Sequence, residues 1–169
     1  TNHTTLDDYA GAIGPQTGLI LKVHRSNFFM KGFVAAPERR ELAVLARKKR
    51  VPFMEDLGSG VLLPTGDWAE GHHEPMPREV LKDGADIVCF SGDKLMGGPQ
   101  SGIIAGRARH VQALKKHPFF RALRCDKLVL SALQSTAEHY LHDQGGELPL
   151  QGMLTADLAS IQRRTRKLA

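Results

Sequence analysis

Short apolar runs alternate with helix-like segments along most of the 169-residue chain. The runs are rich in bulky and β-branched residues, a pattern typical of strands that are covered on both faces. The segments between them place apolar residues on one helical stripe. This order predicts an α/β fold with a mainly parallel sheet flanked by helices. The predicted strands are Gly18–Val23, Val51–Met54, Asp86–Phe90 and Gly102–Ala105.

Helices are predicted between and after these strands. They cover Ala36–Arg50, Pro77–Lys82, Arg107–Lys116 and Asp126–Leu141. A polar, proline-rich loop leads to Pro75. The segment Gln144–Gly152 is typical of a linker, and Thr155 is expected to cap a last helix. That helix would carry Leu158, Ile161 and Leu168 on its inner side.

Composition narrows the class of protein. Apolar residues make up 41% and charged residues 24%, as in ordinary globular proteins. No apolar run approaches the roughly 20 residues that cross a bilayer, and no basic-then-apolar leader opens the chain, so we expect a cytoplasmic protein without a membrane partner. Two cysteines, Cys89 and Cys125, fit a reducing compartment. The chain begins with Thr1 and ends in a basic helix-like run, which favours a piece of something longer.

The net charge of +5 suits a phosphate-bearing or polyanionic partner, because neutralising phosphates releases counterions. One basic cluster, Arg47–Arg50, has another explanation. Glu38 and Glu41 open the same predicted helix while the cluster closes it, which complements the helix dipole. The charge therefore suggests a polyanion without requiring one.

Polar residues follow three of the predicted strands. They are His24–Asn27, Asp56–Gly60 and Ser91–Lys94. Ligands of parallel sheets bind at the carboxyl ends of strands, so these clusters are the places to look for a site. If they converge, they offer an amide, hydroxyls, a carboxylate flanked by glycines, and a lysine.

These groups match what pyridoxal 5'-phosphate (PLP) requires. Lys94 would form the imine with the aldehyde, and a partly desolvated lysine has a lowered pKa that favours the reactive amine. Asp56 would face the pyridine nitrogen and keep it protonated, which makes the ring an electron sink. Ser91 could donate to the phosphate, and Asn27 could bond the ring hydroxyl.

Other interpretations stay open at this point. A lysine after a strand is usually a surface charge, and glycine-rich turns such as DLGSG bind anions of many kinds. The P-loop and dinucleotide fingerprints are absent, and Ser59 lacks the spacing of a nucleophile elbow. His24 could be a general acid or base, or a satisfied polar group. We predict no metal, because Glu70, His72, His73 and Glu74 crowd one loop where adjacent histidines point apart.

Five strings carry a family resemblance: KVHRSNF, EDLGSG, EPMP, FSGDKLMGGPQSGII and HPFFRALRCDK. Together they closely resemble bacterial selenocysteine synthase, the L-seryl-tRNA(Sec) selenium transferase family, over nearly the whole chain. Ser101 and Arg25 depart from the family pattern, but neither removes a group that the chemistry needs.

The resemblance implies a large domain of the PLP-dependent transferase fold type I, with Lys94 as the Schiff-base lysine and Asp56 as the partner of the pyridine nitrogen. It also implies that Asp93, Arg121 and Arg124 belong to the active site, where the arginines would grip selenophosphate. Residues 1–143 would form the C-terminal part of the PLP-binding domain. Residues 144–169 would form a linker and the first helix of a small domain.

The implied reaction converts seryl-tRNA(Sec) to selenocysteinyl-tRNA(Sec) with selenophosphate, through a dehydroalanyl (aminoacrylyl) intermediate. Members of the family form homo-oligomers, rings of dimers with active sites between subunits, so a fragment is expected to expose apolar surface and to bind the cofactor poorly. Two alternatives remain. One is a related PLP-dependent lyase or transferase that acts on a free amino acid or sugar acid, and the other is a non-catalytic α/β module that binds RNA.

Overall fold

A computed structural model describes residues 2–66 and 73–168. Its sheet has four strands in the order β1-β2-β3-β4. Their bounds are β1 Ile20–Val23, β2 Phe53–Gly58, β3 Ile87–Ser91 and β4 Gly102–Gly106. The first three strands are parallel, and β4 returns antiparallel to β3. The predicted α/β fold with a mainly parallel sheet is confirmed.

Helices account for about half of the remaining described residues. They are α1 Leu6–Ala12, α2 Arg39–Lys49, α3 Pro77–Lys82, α4 Ala108–Lys116, α5 Pro118–Leu123, α6 Lys127–Leu141, α7 Pro149–Leu154 and α8 Leu158–Arg166. Helices α1 and α5 were not predicted, although both carry start signals. Thr5 and Asp8 form a capping box on α1, and Pro118 occupies the first turn of α5.

Strand β2 is longer than predicted and is shifted along the chain. It runs to Gly58 instead of ending at Met54, so Asp56 lies inside the strand. The reason is pairing on both sides: Asp56 is in register with Val23 of β1 and with Cys89 of β3. A central strand extends as far as its neighbours offer partners.

The segment predicted as a linker contains a 3-10 turn, Gly145–Glu147, and then α7. Thr155 does not cap the last helix. Its hydroxyl donates to the Gln151 carbonyl at the end of α7, and Asp157 caps α8 by accepting from the Ser160 N–H at 2.8 Å. The predicted inner side of α8 is also wrong, because Leu158 is 69% exposed and Leu168 lies beyond the helix.

One face of the sheet holds the core. Phe53, Leu57 and Val88 point into it, together with Leu42 of α2 and Val80 of α3, and all five are fully buried. Burial of large apolar side chains of this kind contributes roughly 1.5–3 kcal/mol per residue.

The opposite face is largely open along one row. Strand register aligns Val23, Asp56, Cys89 and Ile104 across the four strands. Val23 is 61% exposed and Ile104 is 45% exposed, while Asp56 and Cys89 are half-buried. The expected exposure of apolar surface is therefore confirmed for this chain.

Candidate active site

Asp56 and Lys94 both lie close to Gly58, the last residue of β2. The Gly58 N–H donates to Asp56 Oδ1 at 3.1 Å. A methyl group placed on Gly58 would lie 3.8 Å from Lys94 Nζ and 3.2 Å from Ser26 Oγ. We call Ser26, Asp56, Gly58 and Lys94 the strand-end cluster. It joins residues from the ends of three parallel strands at one edge of the sheet.

Two glycines make this close approach possible. Gly58 and Gly60 have φ values of +68° and +70°, which favour glycine over other residues. A Cβ on Gly60 would also collide with the Ser91 carbonyl oxygen at the end of β3. The Leu95 N–H donates to the Ser59 carbonyl at 2.9 Å, which ties the turn of Lys94 to the turn of β2. This backbone bond holds the turn that carries Lys94 against the residues that follow β2.

The Asp56 carboxylate has a thiol neighbour that sequence reasoning missed. Burial raises the pKa of Cys89 to about 11, and the negative charge of Asp56 and a hydrogen bond with it act in the same direction. The thiol therefore stays protonated and can donate to the carboxylate. The signal that could have found Cys89 is strand register, since it pairs directly with Asp56.

We expect Cys89 to resist alkylation in the folded protein. With a pKa of about 11, roughly one thiol in a thousand is the reactive thiolate at pH 8. Iodoacetamide treatment followed by peptide mass spectrometry should leave Cys89 largely unmodified in buffer and modify it fully in urea. Equal rates of Cys89 modification in the two conditions would contradict the protected thiol.

His24 also has a carboxylate partner. Its Nε2 lies 3.1 Å from Oε2 of Glu74, and its backbone N–H donates to the Asp56 carbonyl at 2.8 Å. Glu74 Oε1 is buried and has no hydrogen-bond partner in the described residues. His24 thus lies between the end of β2 and the EPMP segment, with hydrogen bonds to both. This favours the interpretation of His24 as a satisfied polar group over a general acid or base.

The metal interpretation finds no support in the described ranges. His73 Nε2 pairs with Glu79 at 3.0 Å, while Glu70 and His72 lie outside the residues that the structure describes. Within residues 2–66 and 73–168, no group of three or more potential ligands could hold a metal ion.

The other predicted site residues lie around the cluster or apart from it. Ser91 ends β3 and is half-buried, whereas Asn27 is exposed in the irregular segment after β1. Asp93 is exposed in the turn that carries Lys94. Ser26, one residue before Asn27, is the residue of that segment that the contacts at Gly58 bring to the lysine.

Arg121 and Arg124 belong to a separate part of the chain. Arg121 lies in the last turn of α5, and Arg124 ends that helix with its N–H bonded to the Phe120 carbonyl. Both side chains are exposed, and within the described residues no hydrogen bond or ion pair links them to the strand-end cluster. Their spacing places them on one short turn, as the sequence suggested.

The expected partial burial of Lys94 is not found. Its side chain is exposed in this chain. The residues around it are glycines and small hydroxyl side chains, which approach closely but cover little surface. These neighbours do not desolvate the Lys94 amine, so its desolvation would require other groups.

The chain matches a known protein family. The family model described as SelA, L-seryl-tRNA selenium transferase, matches residues 1–169. The chain belongs to this family. The L-seryl-tRNA(Sec) selenium transferase of Hyphomonas neptunium is 48% identical over 171 residues, covering 100% of this chain and 37% of the relative. The Clostridium perfringens protein of the same name is 44% identical, covering 99% and 37%. The chain thus spans little more than a third of these relatives.

Solved structures show the same fold at lower identity. The structure of D-glucosaminate-6-phosphate ammonia-lyase aligns with a TM-score of 0.63 and 22% identity, covering 83% of this chain and 34% of that one. A SepCysS–SepCysE N-terminal domain complex aligns with a TM-score of 0.52 and 20% identity, covering 85% and 38%. At such identities the likeness concerns the fold alone.

The strand-end cluster fits the PLP that the family implies. It offers an amine for the aldehyde and a carboxylate for the ring nitrogen, and both lie close to Gly58, which carries no side chain. The hydroxyl of Ser59, next in the chain, is buried without a hydrogen-bond partner among the described residues. Because buried polar groups usually have partners, such an atom is consistent with a missing ligand nearby.

Proposed function

We propose that this chain is part of a PLP-dependent enzyme that converts seryl-tRNA(Sec) to selenocysteinyl-tRNA(Sec) with selenophosphate. The observation that carries the proposal is the meeting of the Lys94 amine and the Asp56 carboxylate at Gly58, in a chain of the selenium transferase family. We further propose that the chain belongs to a longer polypeptide, called the full-length protein below.

Residues in and around the strand-end cluster have distinct tasks in this proposal. Lys94 holds the cofactor through Nζ and afterwards moves the proton of the substrate Cα. Asp56 keeps the ring nitrogen protonated, and the Gly58 N–H and Cys89 fix the orientation of its carboxylate. Bound PLP supplies an electron sink for the negative charge that develops at the substrate carbon. Ser91 is proposed to donate to the phosphate, and Asn27 to the ring hydroxyl.

We assign the selenium donor to the arginines. Arg121 and Arg124 present two exposed guanidinium groups on one turn, and such planar forks suit tetrahedral oxyanions like selenophosphate. Asp93, beside Lys94 in the chain, is proposed as a further catalytic group. The β-hydroxyl would leave as water to give a dehydroalanyl group, selenium from selenophosphate would add to its β-carbon while Cα regains a proton, and a second water would take the phosphoryl group to give phosphate.

The full-length protein is proposed to supply what this chain lacks. Residues 1–143 would form the C-terminal part of its PLP-binding domain, and residues 144–169 would lead into a small domain. The open row with Val23 and Ile104 at its ends offers apolar surface for further polypeptide or for a second subunit in a ring of dimers. No helix in the described residues could span a membrane. The two free thiols suit the cytoplasm, where we place the activity.

A substrate assay tests the proposal. We expect the full-length protein with PLP and selenophosphate to form selenocysteinyl-tRNA(Sec) from seryl-tRNA(Sec), and to leave free serine unchanged. The control is the same reaction without selenophosphate. Conversion of a free amino acid or sugar acid instead of the tRNA ester would favour a related lyase or transferase. Binding of tRNA without any conversion would favour the non-catalytic module.

A further inference from the structure

A cavity lies at the edge of the sheet opposite the strand-end cluster. It has a volume of about 540 Å³. Its charged and titratable lining consists of Arg47, Arg50, Asp86, Arg107, Arg109 and His110. We call it the basic cavity. It lies where β2 and β3 begin and β4 ends, since Asp86 precedes β3 and the Arg107 N–H donates to the Asp86 carbonyl at 2.9 Å.

Positive charge in the basic cavity is only partly compensated. Asp86 is the one carboxylate among its lining residues, and it is already engaged. Its Oδ2 accepts from the Phe53 N–H at 3.0 Å, and its Oδ1 pairs with Arg107 at 2.7 Å. Arg109 approaches the same oxygen only to 3.8 Å. Four arginines thus line a cavity that holds one carboxylate, and the Nε of Arg47 donates to the Ala43 carbonyl at 3.4 Å.

Helix dipoles do not explain this arrangement. Arg47 closes α2, where a cation is favourable, but Arg107 and Arg109 open α4, where a cation is unfavourable. The first turn of α4 has no acidic residue to offset them. Arginines from two helices therefore converge at an electrostatic cost that an anion would remove.

Arg50 is placed by a constrained backbone. Its φ of +58° and ψ of +33° put it in the left-handed region, which non-glycine residues seldom adopt. Its N–H donates to the Arg47 carbonyl, and the Val51 N–H donates to the Ala46 carbonyl. These bonds end α2 beside the basic cavity, which Arg50 lines.

We propose that the basic cavity binds phosphate oxyanions. Guanidinium groups match the planar, bidentate recognition that phosphate favours, and several of them can share one phosphate or span neighbouring ones. Such phosphates can come from an RNA backbone or from a small free phosphate, and the test below distinguishes these sources. Strands of five or six residues separate the basic cavity from Lys94 by roughly 15–20 Å, so this site is distinct from the cofactor site.

Matched pairs of charge-removing variants test the proposal in the full-length protein saturated with PLP. Arg47→Gln with Arg50→Asn removes two charges from the basic cavity, and Asn tolerates the left-handed backbone at position 50. Lys48→Gln with Lys49→Gln removes two charges from the same helix, and neither lysine lines the cavity. One probe is a fluorescein-labelled tRNA transcript, followed by anisotropy over a range of salt. The other is inorganic phosphate, followed by thermal shift at constant ionic strength.

The cavity variant is expected to bind one of the two probes at least tenfold more weakly, whereas the lysine variant changes binding less than threefold. If RNA is the ligand, the slope of log K against the logarithm of the salt concentration should also decrease in magnitude by about 1.5, because two phosphate contacts are lost. If a small phosphate is the ligand, its stabilising thermal shift should disappear. Equal behaviour of the two double variants with both probes would overturn the proposal.

A second pair keeps the test valid if the first cavity variant does not fold. Arg109→Gln removes one cavity charge from α4, and Lys115→Gln removes one charge from the same helix outside the cavity. The same probes apply, with an expected loss of at least threefold for Arg109→Gln alone. Because neither pair touches the strand-end cluster, cofactor binding should be unchanged, and a failure of the selenium transfer proposal would not alter these results.

Discussion

Lys94→Ala in the full-length protein is expected to lower kcat/KM for selenocysteinyl-tRNA formation by at least about 10³-fold. The amine at position 94 is the one that the structure places beside Gly58, and no other amine lies on that turn to form an imine with an aldehyde. Lys94→Arg should fail equally, because a guanidinium keeps the charge but is not nucleophilic at neutral pH. The pair of variants separates covalent chemistry from electrostatic attraction of the substrate.

Borohydride reduction of the PLP-loaded protein, followed by peptide mapping, measures the same prediction without turnover. The label should appear on the peptide that contains Lys94 and should be absent from Lys94→Ala. Lys82→Ala, which alters an exposed lysine at the end of α3, is the matched control and should keep both the label and the activity. A label on another lysine, or a Lys94→Ala variant with more than a tenth of the activity, would reject the assignment.

The proximity of Asp56 and Lys94 to one turn could be predicted from the sequence because of the sheet topology. Neighbouring parallel strands end at the same edge of a sheet, so the residues after them converge without any knowledge of side-chain packing. The glycines around position 58 added the second clue, since they mark a turn that lets backbone approach closely. The order of strands and the polar residues that follow them were enough for this part of the site.

The register of β2 against β3 and the burial of Lys94 could not be predicted from the sequence in this way. The pairing of Asp56 with Cys89 depends on the register of β2 against β3, and local composition does not specify that register. The exposure of Lys94 depends on which distant segments cover the edge of the sheet. Helix α7 was missed for a related reason: its six residues, PLQGML, include a proline and a glycine, and its packing comes from contacts such as the Gln151 side-chain bond to the Leu95 carbonyl at 3.1 Å.

The second large effect concerns stability. Arg39→Met is expected to lower the free energy of unfolding by about 3–5 kcal/mol, because it leaves the Glu55 carboxylate buried without its partner. Glu55 is fully buried and receives two bonds from Arg39, at 2.5 Å from Nε and 3.1 Å from Nη2. Lys22 is the other cation near Glu55, and burial lowers its pKa while the charge of Glu55 acts against that shift. Its presence favours the lower end of the range.

Urea unfolding of the variant and of two companions measures this effect. Arg40→Met removes the adjacent arginine, whose side chain is 79% exposed and pairs with Asp83, so a loss of no more than about 1 kcal/mol is expected. Arg39→Met combined with Glu55→Gln should recover part of the loss, because the second change removes the buried charge. If Arg39→Met and Arg40→Met lowered the free energy of unfolding equally, burial of Glu55 would not explain the contribution of the Arg39–Glu55 pair to stability. Glu55 adjoins Asp56 in β2, so a displacement of this strand would also move Asp56 and weaken cofactor binding. Burial of Glu55 on the covered face of the sheet therefore supports the position of a residue in the candidate site.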